Sequence, residues 1–465
     1  MYYSRYKKKE IIIFNDPQGE KNLYYYNDES FFIVSSTIES ILEFLGEYKI
    51  NYEELKNYFF TRHFMPLNNT CFNKIKLFQN STLAKYSVEK KSLEQKIYDD
   101  PLTWVSEKKY NFFTKFSNDE MTDYLHYELK NEIKHMIPES DYGCIVSGGI
   151  DSSLQAAIIS SIKKSKINLI AHHKDKDISI KNIKKFNNFL STSISIIKVN
   201  KNLYLKKALL AYKIISSPLQ THDLVGRMII AENFRKKKCK VFFSADGCDE
   251  LLGGQQLYLK VFKKNLNLRK NISPYSSIIN MGIQFKEFNI DNYSYKLNAM
   301  WKSVNERYSF LDLRSKNIQS SLFLDYFVQS TNVANRSNDL ISCNYSVESR
   351  NVFIQKKILK ILINLPLKYK IDFKSKDPHF IQKPILKNIF LKYYSSDLIF
   401  PKKGFPGYPN QLRKIKGISK YPLINKFLGV MLSSKKDELY YDKNRHQRDL
   451  EWKKINTEIF LNQFI

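Results

Sequence analysis

One short segment combines the residue types that could bind an anion together with a metal ion. Ser147, two glycines and Ser152 follow an apolar run at 142–146 and precede a helix-like run at 153–162. A strand, a small turn and a helix start direct backbone N–H groups and the helix dipole towards an anion. Asp151 would repel a phosphate unless magnesium lay between them, because hard cations take carboxylate and phosphate oxygens together. The segment predicts a magnesium-assisted phosphate site, although a plain strand-to-helix turn would look similar.

A second segment, at 244–250, carries three carboxylates within five residues and follows the apolar run 241–243. Carboxylates at the end of a buried strand lower stability unless a cation or ligand compensates them. Ligands of open parallel sheets bind at the carboxyl ends of strands. Two such ends, carrying Asp151 and Asp249, are therefore predicted to hold one magnesium ion and one pyrophosphate group. The alternative for this segment is an acidic surface turn.

The two segments, SGGIDSS and SADGCDELLGG, resemble the ATP-pyrophosphatase domain of asparagine synthetases. β-Lactam synthetases and lasso-peptide macrolactam cyclases are similar to it as well. Three further segments occur in the family's order: 339–350 resembles D-x-x-S…S-h-E-x-R, 365–366 matches its Leu-Pro, and 402–405 resembles K-x-G-F. The resemblance covers roughly residues 10 to 415. It implies an α/β fold, namely a parallel-sheet ATP-pyrophosphatase (adenine nucleotide α-hydrolase-like) domain with a helical C-terminal part.

The resemblance also implies a reaction. ATP would be split between its α and β phosphates, a substrate carboxylate would take AMP, and magnesium would hold the pyrophosphate. An amine would then attack the acyl-adenylate and give an amide. Such a site must neutralise phosphate charge and exclude water, because a free adenylate hydrolyses.

Residue roles follow from the same resemblance. Glu348 is expected to serve as base or orienter of the amine, unless it only pairs with Arg350. Lys402, or its neighbour Lys403, is expected to stabilise the transition state near the α-phosphate. Magnesium is assigned to Asp151 and Asp249. The nucleotide is assigned to Val146, Ser147, Gly148, Gly149, Asp151, Ser152, Ala171, Asp246 and Gly247. Two departures from the family are Ala245 in place of glycine and Asn-Val-Phe-Ile-Gln after Arg350 in place of Pro-Phe-Leu-Asp.

The first 98 residues have a different character. Short apolar strand candidates alternate with turn residues, and Thr37 is expected to cap a short helix. In family terms, residues 1–98 resemble the second half of a β-rich glutamine amidotransferase domain. Such enzymes use a cysteine at position 2, where this chain has Tyr2. We expect a truncated, non-catalytic region that serves as scaffold, docking surface or channel wall, and no glutamine hydrolysis.

Residues 99–117 read as a linker, and residues 118–465 as the synthetase-like domain. A helix is predicted after Asp119, with one apolar face. Strand and helix candidates then alternate, which favours a parallel sheet with right-handed crossovers. The strands are expected at 142–146, 167–171, 194–199 and 240–244, and the pattern beyond residue 255 is helical.

Composition sets further bounds. Hydrophobic residues make up 43% of the 465 residues, as in a globular protein rather than a disordered one. The net charge is +29, mostly from scattered lysines, which favours a solvated basic surface over a nucleic-acid site. The five cysteines show no metal-ligand spacing, no signal sequence or membrane span is recognisable, and a cytoplasmic location is expected.

Four functions stay open at this point. The leading one is an ATP-dependent C–N ligase without glutaminase activity, such as a macrolactam or lactam cyclase. Its partners would be a carboxylate substrate, such as a precursor peptide, and a partner maturation enzyme. The second is an asparagine synthetase that uses ammonia. The third is a tRNA-modifying adenylating enzyme, which would suit the charge but lacks the second acidic segment. The fourth is a non-catalytic binding protein on the same scaffold.

Overall fold

A computed structural model gives the fold of the chain. It describes residues 2–5, 9–60, 68–162, 167–174, 179–190, 192–221, 223–256, 258–259, 262, 291–400, 407–415, 418, 422–424 and 443–465.

The amino-terminal region is built from two antiparallel sheets. Its elements are β1 (Tyr2–Arg5), β2 (Glu10–Phe14), β3 (Tyr24–Asn27), β4 (Phe32–Ser35), α1 (Ile38–Leu45), α2 (Tyr52–Phe60), β5 (Ile75–Leu77), β6 (Thr82–Ser87) and β7 (Ser92–Ile97). One sheet has the order β1-β2-β6-β7 and the other β4-β3-β5. The Thr37 side chain accepts from the Ser40 backbone N–H and so caps α1. The predicted β-rich region with one capped helix is confirmed.

The segment at 99–117, expected to be a linker, contains helical structure. A 3₁₀ turn spans Pro101–Trp104, and α3 (Glu107–Thr114) follows it. Next comes α4 (Asn118–Met136), which Ser117 and Glu120 open with a reciprocal capping box. The predicted apolar face of α4 is buried, from Met121 to Met136. Burial of that face fixes α4 against the domain that follows.

The central sheet has five parallel strands. In chain order the elements are β8 (Tyr142–Ile145), α5 (Ile150–Ile162), β9 (Asn168–Lys174), α6 (Ser179–Lys185), β10 (Ser195–Val199), α7 (Lys201–Ile215), α8 (Leu224–Lys236), β11 (Val241–Ser244), α9 (Cys248–Leu252) and, much later, β12 (Glu348–Asn351). The spatial order is β10-β9-β8-β11-β12, and every pair is parallel. After β8 the chain adds β9 and β10 on one side of it, and later β11 and β12 on the other side. The strand order therefore reverses between β8 and β11. That reversal is the place where open α/β sheets form a ligand crevice.

Helices dominate the remainder, as predicted, apart from β12. They are α10 (Asp291–Arg307), α11 (Leu313–Asp325), α12 (Arg336–Asn344), α13 (Lys356–Asn364), α14 (Leu367–Lys370), α15 (Pro384–Phe390) and α16 (Lys443–Phe464). A π-helical stretch, Tyr326–Asn335, joins α11 to α12. Short 3₁₀ turns lie at Phe186–Asn188, Val352–Ile354, Pro378–Phe380, Ser396–Leu398 and Pro409–Lys414.

Alternate strand residues face two separate cores. Cys144 and Phe243 join a cluster with α4, α5 and α15 on one face of the sheet. Phe242 and Ile170 join the opposite cluster, which contains α7, α8, α12 and residues of the amino-terminal region such as Ile41. Burial on both faces holds the strand ends, and the loops after them, in fixed positions. Among the described helices, none has the length and apolar character to cross a bilayer.

Candidate active site

The loop after β8 is held by its own hydroxyl groups. The Ser147 backbone N–H donates to Ser152 Oγ at 3.1 Å, and the two hydroxyl oxygens lie 2.8 Å apart. The Gly149 N–H donates to Ser147 Oγ at 3.3 Å. Gly148 has φ +81°, and a Cβ there would lie 2.9 Å from Ile183 Cγ1, so the turn favours glycine. The result is a compact turn at the amino end of α5, where free N–H groups and the helix dipole favour an anion.

Two residues predicted at the nucleotide site lie next to this turn, Val146 directly after β8 and Ala171 in β9. The Val146 N–H donates to the Ile170 carbonyl at 2.9 Å, so it lies next to Ala171 on the neighbouring strand. Both side chains are fully buried. They belong to the apolar core next to the loop, and their contact with an adenine nucleotide stays a prediction.

Asp151 and Asp249, predicted on separate strand ends, do come together, and a lysine joins them. Lys383 Nζ lies 2.6 Å from Asp151 Oδ2 and also contacts Asp249 Oδ1. The Cys248 thiol lies 3.3 Å from the other Asp151 oxygen. Burial by itself lowers the pKa of Lys383, but Asp151 leads the interactions that raise it above its ordinary value. The lysine is therefore charged and neutralises the acidic pair.

The backbone around this ion cluster is unusual. Lys383 has φ 51° and ψ 43°, a left-handed conformation that costs a non-glycine residue about 1–2 kcal/mol. Its N–H donates to the Lys370 carbonyl at 2.8 Å, and Pro384 follows as the first residue of α15. A Cβ on Gly254 would overlap both the Lys383 side chain and the Asp249 carboxylate. Strained backbone that the surroundings hold in place is typical of functional sites.

Asp246, which the sequence assigned to the nucleotide, is engaged by other side chains. Arg227 donates to both of its carboxylate oxygens, at 2.9 and 2.7 Å, in a bidentate pair. Arg227 also pairs with Asp223 at 2.9 Å, and the Asn338 amide bonds Asp246 as well. Asp246 is thus locked at the carboxyl end of β11, next to Gly247, which precedes α9.

Glu250 lies in α9, directly after the same loop. It accepts hydrogen bonds from Gln255 Nε2 at 3.2 Å and from Ser330 Oγ, in the π-helical stretch, at 3.1 Å. Burial, followed by the nearby Asp325, raises the pKa of Glu250 to about 7. The loop after β11 is therefore anchored on its far side by the π-helical stretch.

Glu348 is not brought to this edge of the sheet. It opens β12 opposite Val241, whereas Asn351 ends that strand opposite Ser244. Three residues of strand separate the two levels, roughly 10 Å. Glu348 pairs with Arg350 at 3.1 Å, and Arg350 in turn bonds the Met136 carbonyl. The structure thus gives the Glu348–Arg350 pair that the sequence offered as the alternative, and the role as base stays a prediction.

Lys402 and Lys403 lie outside the described residues. Lys383, which the sequence interpretation missed, is the described lysine that contacts the predicted site. In a chain with 75 Lys and Arg residues, its type carries no signal. Its place directly before Pro384 and a helix was the one local clue.

The carboxylates at this edge of the sheet are few. Among the described residues, no group of three or more His, Cys, Asp or Glu side chains could hold a metal. Magnesium, however, is usually bound through one or two carboxylates plus substrate phosphates and water, rather than by a protein cage. Asp151 and Asp249 converge in that way, so the residues fit a magnesium ion that arrives with a nucleotide.

Comparison with known proteins decides the family. Residues 126–447 match the asparagine synthase family, and residues 2–98 match the glutamine amidotransferase domain. The chain belongs to the asparagine synthase family. Comparison with curated proteins gives no match. Among solved structures, NMN synthetase from Francisella tularensis is similar over 45% of this chain and 93% of that chain, with 14% sequence identity and a TM-score of 0.23.

Membership of the asparagine synthase family makes the chain an ATP-dependent C–N ligase at the level of the superfamily. The parallel-sheet fold and the family resemblance expected from the sequence are confirmed. In the amidotransferase-like region, Cys71 is fully buried, and burial raises its pKa well above the ordinary value. A thiol in that state is a poor nucleophile.

Proposed function

We propose that this asparagine synthase family member forms an amide through an acyl-adenylate, releasing AMP and pyrophosphate. We further propose a precursor peptide as its substrate, with an Asp or Glu side chain joined to an amine of the same peptide. The observation that supports the chemistry is the convergence of the Ser147 loop, Asp151, Asp249 and Lys383 at the switch point of the sheet. An anion-binding turn beside two carboxylates and a lysine is suited to a metal-bound polyphosphate.

Each group has a role in this proposal. The loop of residues 147–149, with the Ser147 and Ser152 hydroxyl groups, and the amino end of α5 bind the pyrophosphate portion. Asp151 and Asp249 would hold magnesium, which supplies charge neutralisation to the departing pyrophosphate. Lys383 offers a second positive charge between them, and its buried position excludes water from the pair. Lys402 is proposed to act at the α-phosphate, as the family resemblance implies.

The cyclase hypothesis rests on the amidotransferase-like region. Cys71 is buried and is therefore poorly placed to attack glutamine, which favours another source for the amine. An amine in the substrate itself meets that need. A free adenylate hydrolyses unless the amine is near, and an intramolecular amine has a high effective concentration.

The test uses isotopes to follow the carboxylate oxygen. Precursor peptides with ¹⁸O in an Asp or Glu carboxylate are incubated with the full chain, ATP and magnesium. The proposal expects one ¹⁸O in AMP, an amount of pyrophosphate equal to that of AMP, and a peptide product lighter by one water.

Asp151→Asn and Asp249→Asn should abolish all three results, whereas Asp119→Asn, at an exposed site, should not. Formation of ADP and phosphate, or AMP without ¹⁸O, would rule out the acyl-adenylate; conversion of aspartate and ammonium instead of peptides would rule out the cyclase.

A further inference from the structure

A loop of the amidotransferase-like region reaches the carboxyl edge of the central sheet. The Asp16 carboxylate accepts from the backbone N–H groups of Glu20, at 2.8 Å, and Lys21, at 3.0 Å, and so closes the loop. Lys21 Nζ and the Asn22 N–H both bond Asp339 of α12, each at 3.1 Å. The loop is thereby docked on the synthetase domain with the Glu20 side chain directed at the end of β12.

Glu20 connects to the active-site loop in two steps. Its Oε1 accepts the Asn351 backbone N–H at 3.1 Å, and its Oε2 accepts Gln355 Nε2 at 2.9 Å. The Asn351 side-chain amide then donates to the Asp246 carbonyl at 2.6 Å. Asn351 is 2% exposed, so no solvent competes for these bonds. Glu20, in the amidotransferase-like region, thus fixes Asn351. Asn351 in turn holds the backbone of the acidic loop at 244–249 in the synthetase domain.

This support complements the contacts on the Asp246 side chain. Arg227 and Asn338 hold its carboxylate, whereas Asn351 holds its carbonyl. Asp246 lies only three residues before Asp249, which contacts Lys383. A shift of the carbonyl would therefore be transmitted to the carboxylate that contacts Lys383, because the intervening turn is short.

We propose that Glu20 is a positioning residue for the ligase site. Through Asn351 it holds the 244–249 loop in place, so that the amidotransferase-like region supports catalysis without contributing a nucleophile. The proposal does not depend on which carboxylate the enzyme activates. Interactions one shell away from a metal-binding group typically change affinity or activity by about 10- to 100-fold.

The test compares Glu20→Ala, Glu20→Gln and the exposed control Glu94→Ala in the full chain. Hydrogen exchange is followed by mass spectrometry in peptides covering 242–252, and affinity for the magnesium complex of α,β-methylene-ATP is measured by calorimetry. Glu20→Ala should speed exchange at 245–249 and weaken the analogue about tenfold. Glu20→Gln keeps an acceptor for Asn351 and should restore most of both. Glu94→Ala should resemble the unaltered protein.

A purely structural role would look different. Glu20→Ala would then speed exchange in the amino-terminal region, around Lys21 and Tyr24, and leave 245–249 and the analogue affinity unchanged. A double-mutant cycle with Asn351→Ser adds a second criterion, since residues in one hydrogen-bond chain are non-additive. Additive effects of Glu20→Ala and Asn351→Ser would overturn the proposal. Neither readout needs the peptide substrate, so the outcome is independent of the cyclase hypothesis.

Discussion

Lys383 and Asp151, 232 residues apart in the chain, form a buried ion pair with an N–O distance of 2.6 Å. Removal of the ammonium would take away a positive charge that contacts both Asp151 and Asp249, and breaking a buried ion pair by removing one partner is strongly unfavourable. We expect Lys383→Met to lower AMP formation by roughly 100-fold, the usual effect of deleting one preorganised donor. Initial rates with saturating ATP test this. The exposed Lys374→Met serves as control, and a Lys383→Met enzyme that is folded and fully active would contradict it.

Gly254 provides an independent test of the same ion cluster. A methyl group there would overlap Lys383 and Asp249, although residue 254 has no side chain to contribute chemically. Gly254→Ala should therefore weaken binding of the magnesium–nucleotide complex while circular dichroism stays unchanged. Calorimetry with α,β-methylene-ATP measures the affinity. The control is Lys374→Ala at an exposed site, and an equal, negligible effect of both substitutions would show that the cluster tolerates displacement.

The parts of the fold that were predictable are those with strong burial signals. Runs such as 142–146 and 240–244 lie inside a sheet covered on both faces, so they are apolar throughout and recognisable. β12 was missed because it reads Glu-Ser-Arg-Asn and pairs only with β11, at the edge of the sheet. An edge strand with one neighbour has less need of apolar residues.

The candidate site was predictable only where its residues lie within short segments. Asp151 and Asp249 follow strands, and the fold brings strand ends together. Lys383, Arg227 and Glu20 reach the site through long-range packing, and nothing local distinguishes them from the many other charged residues. The family motif indicated Glu348 by type, but which end of β12 it occupies depends on register, which a single sequence leaves open.

Glu348 is the residue for which motif and geometry differ most. A role limited to the ion pair with Arg350 predicts that Glu348→Gln changes neither AMP nor amide formation by more than about twofold, whereas the role as base predicts that amide formation falls further than AMP formation. The two products are measured in parallel. A fall in amide larger than the fall in AMP would support the role as base that the motif implies.

Lys370 predicts a pH dependence of stability. The side chain is 2% exposed, its Nζ donates to Gln319 Oε1 at 2.6 Å, and burial lowers its pKa to about 7. Between about pH 7 and 10 the unfolded chain keeps this proton while the folded protein has lost it, so the free energy of unfolding should rise with pH. Lys370→Met should be more stable at pH 7 and lose that component of the slope. Urea unfolding at several pH values tests this, with Lys368→Met as control; parallel curves for Lys370→Met and the unaltered protein would contradict it.

Cys71 predicts that this chain does not use glutamine as its amine source. The thiol is buried in the cluster that joins the amino-terminal region to α16, and burial raises its pKa well above the ordinary value. Neither glutamine nor a thiol-alkylating reagent should reach it. Cys343 is exposed, but burial and then Asp339 raise its pKa to about 11, so it should be alkylated in the native protein faster at high pH. Incubation with amide-¹⁵N glutamine should release no glutamate coupled to AMP formation, and Cys71→Ala should leave AMP formation with a competent substrate unchanged. Glutamate release that is coupled to AMP formation and disappears in Cys71→Ala would contradict this prediction. It would identify Cys71 as the nucleophile and show that the amidotransferase-like region opens during turnover.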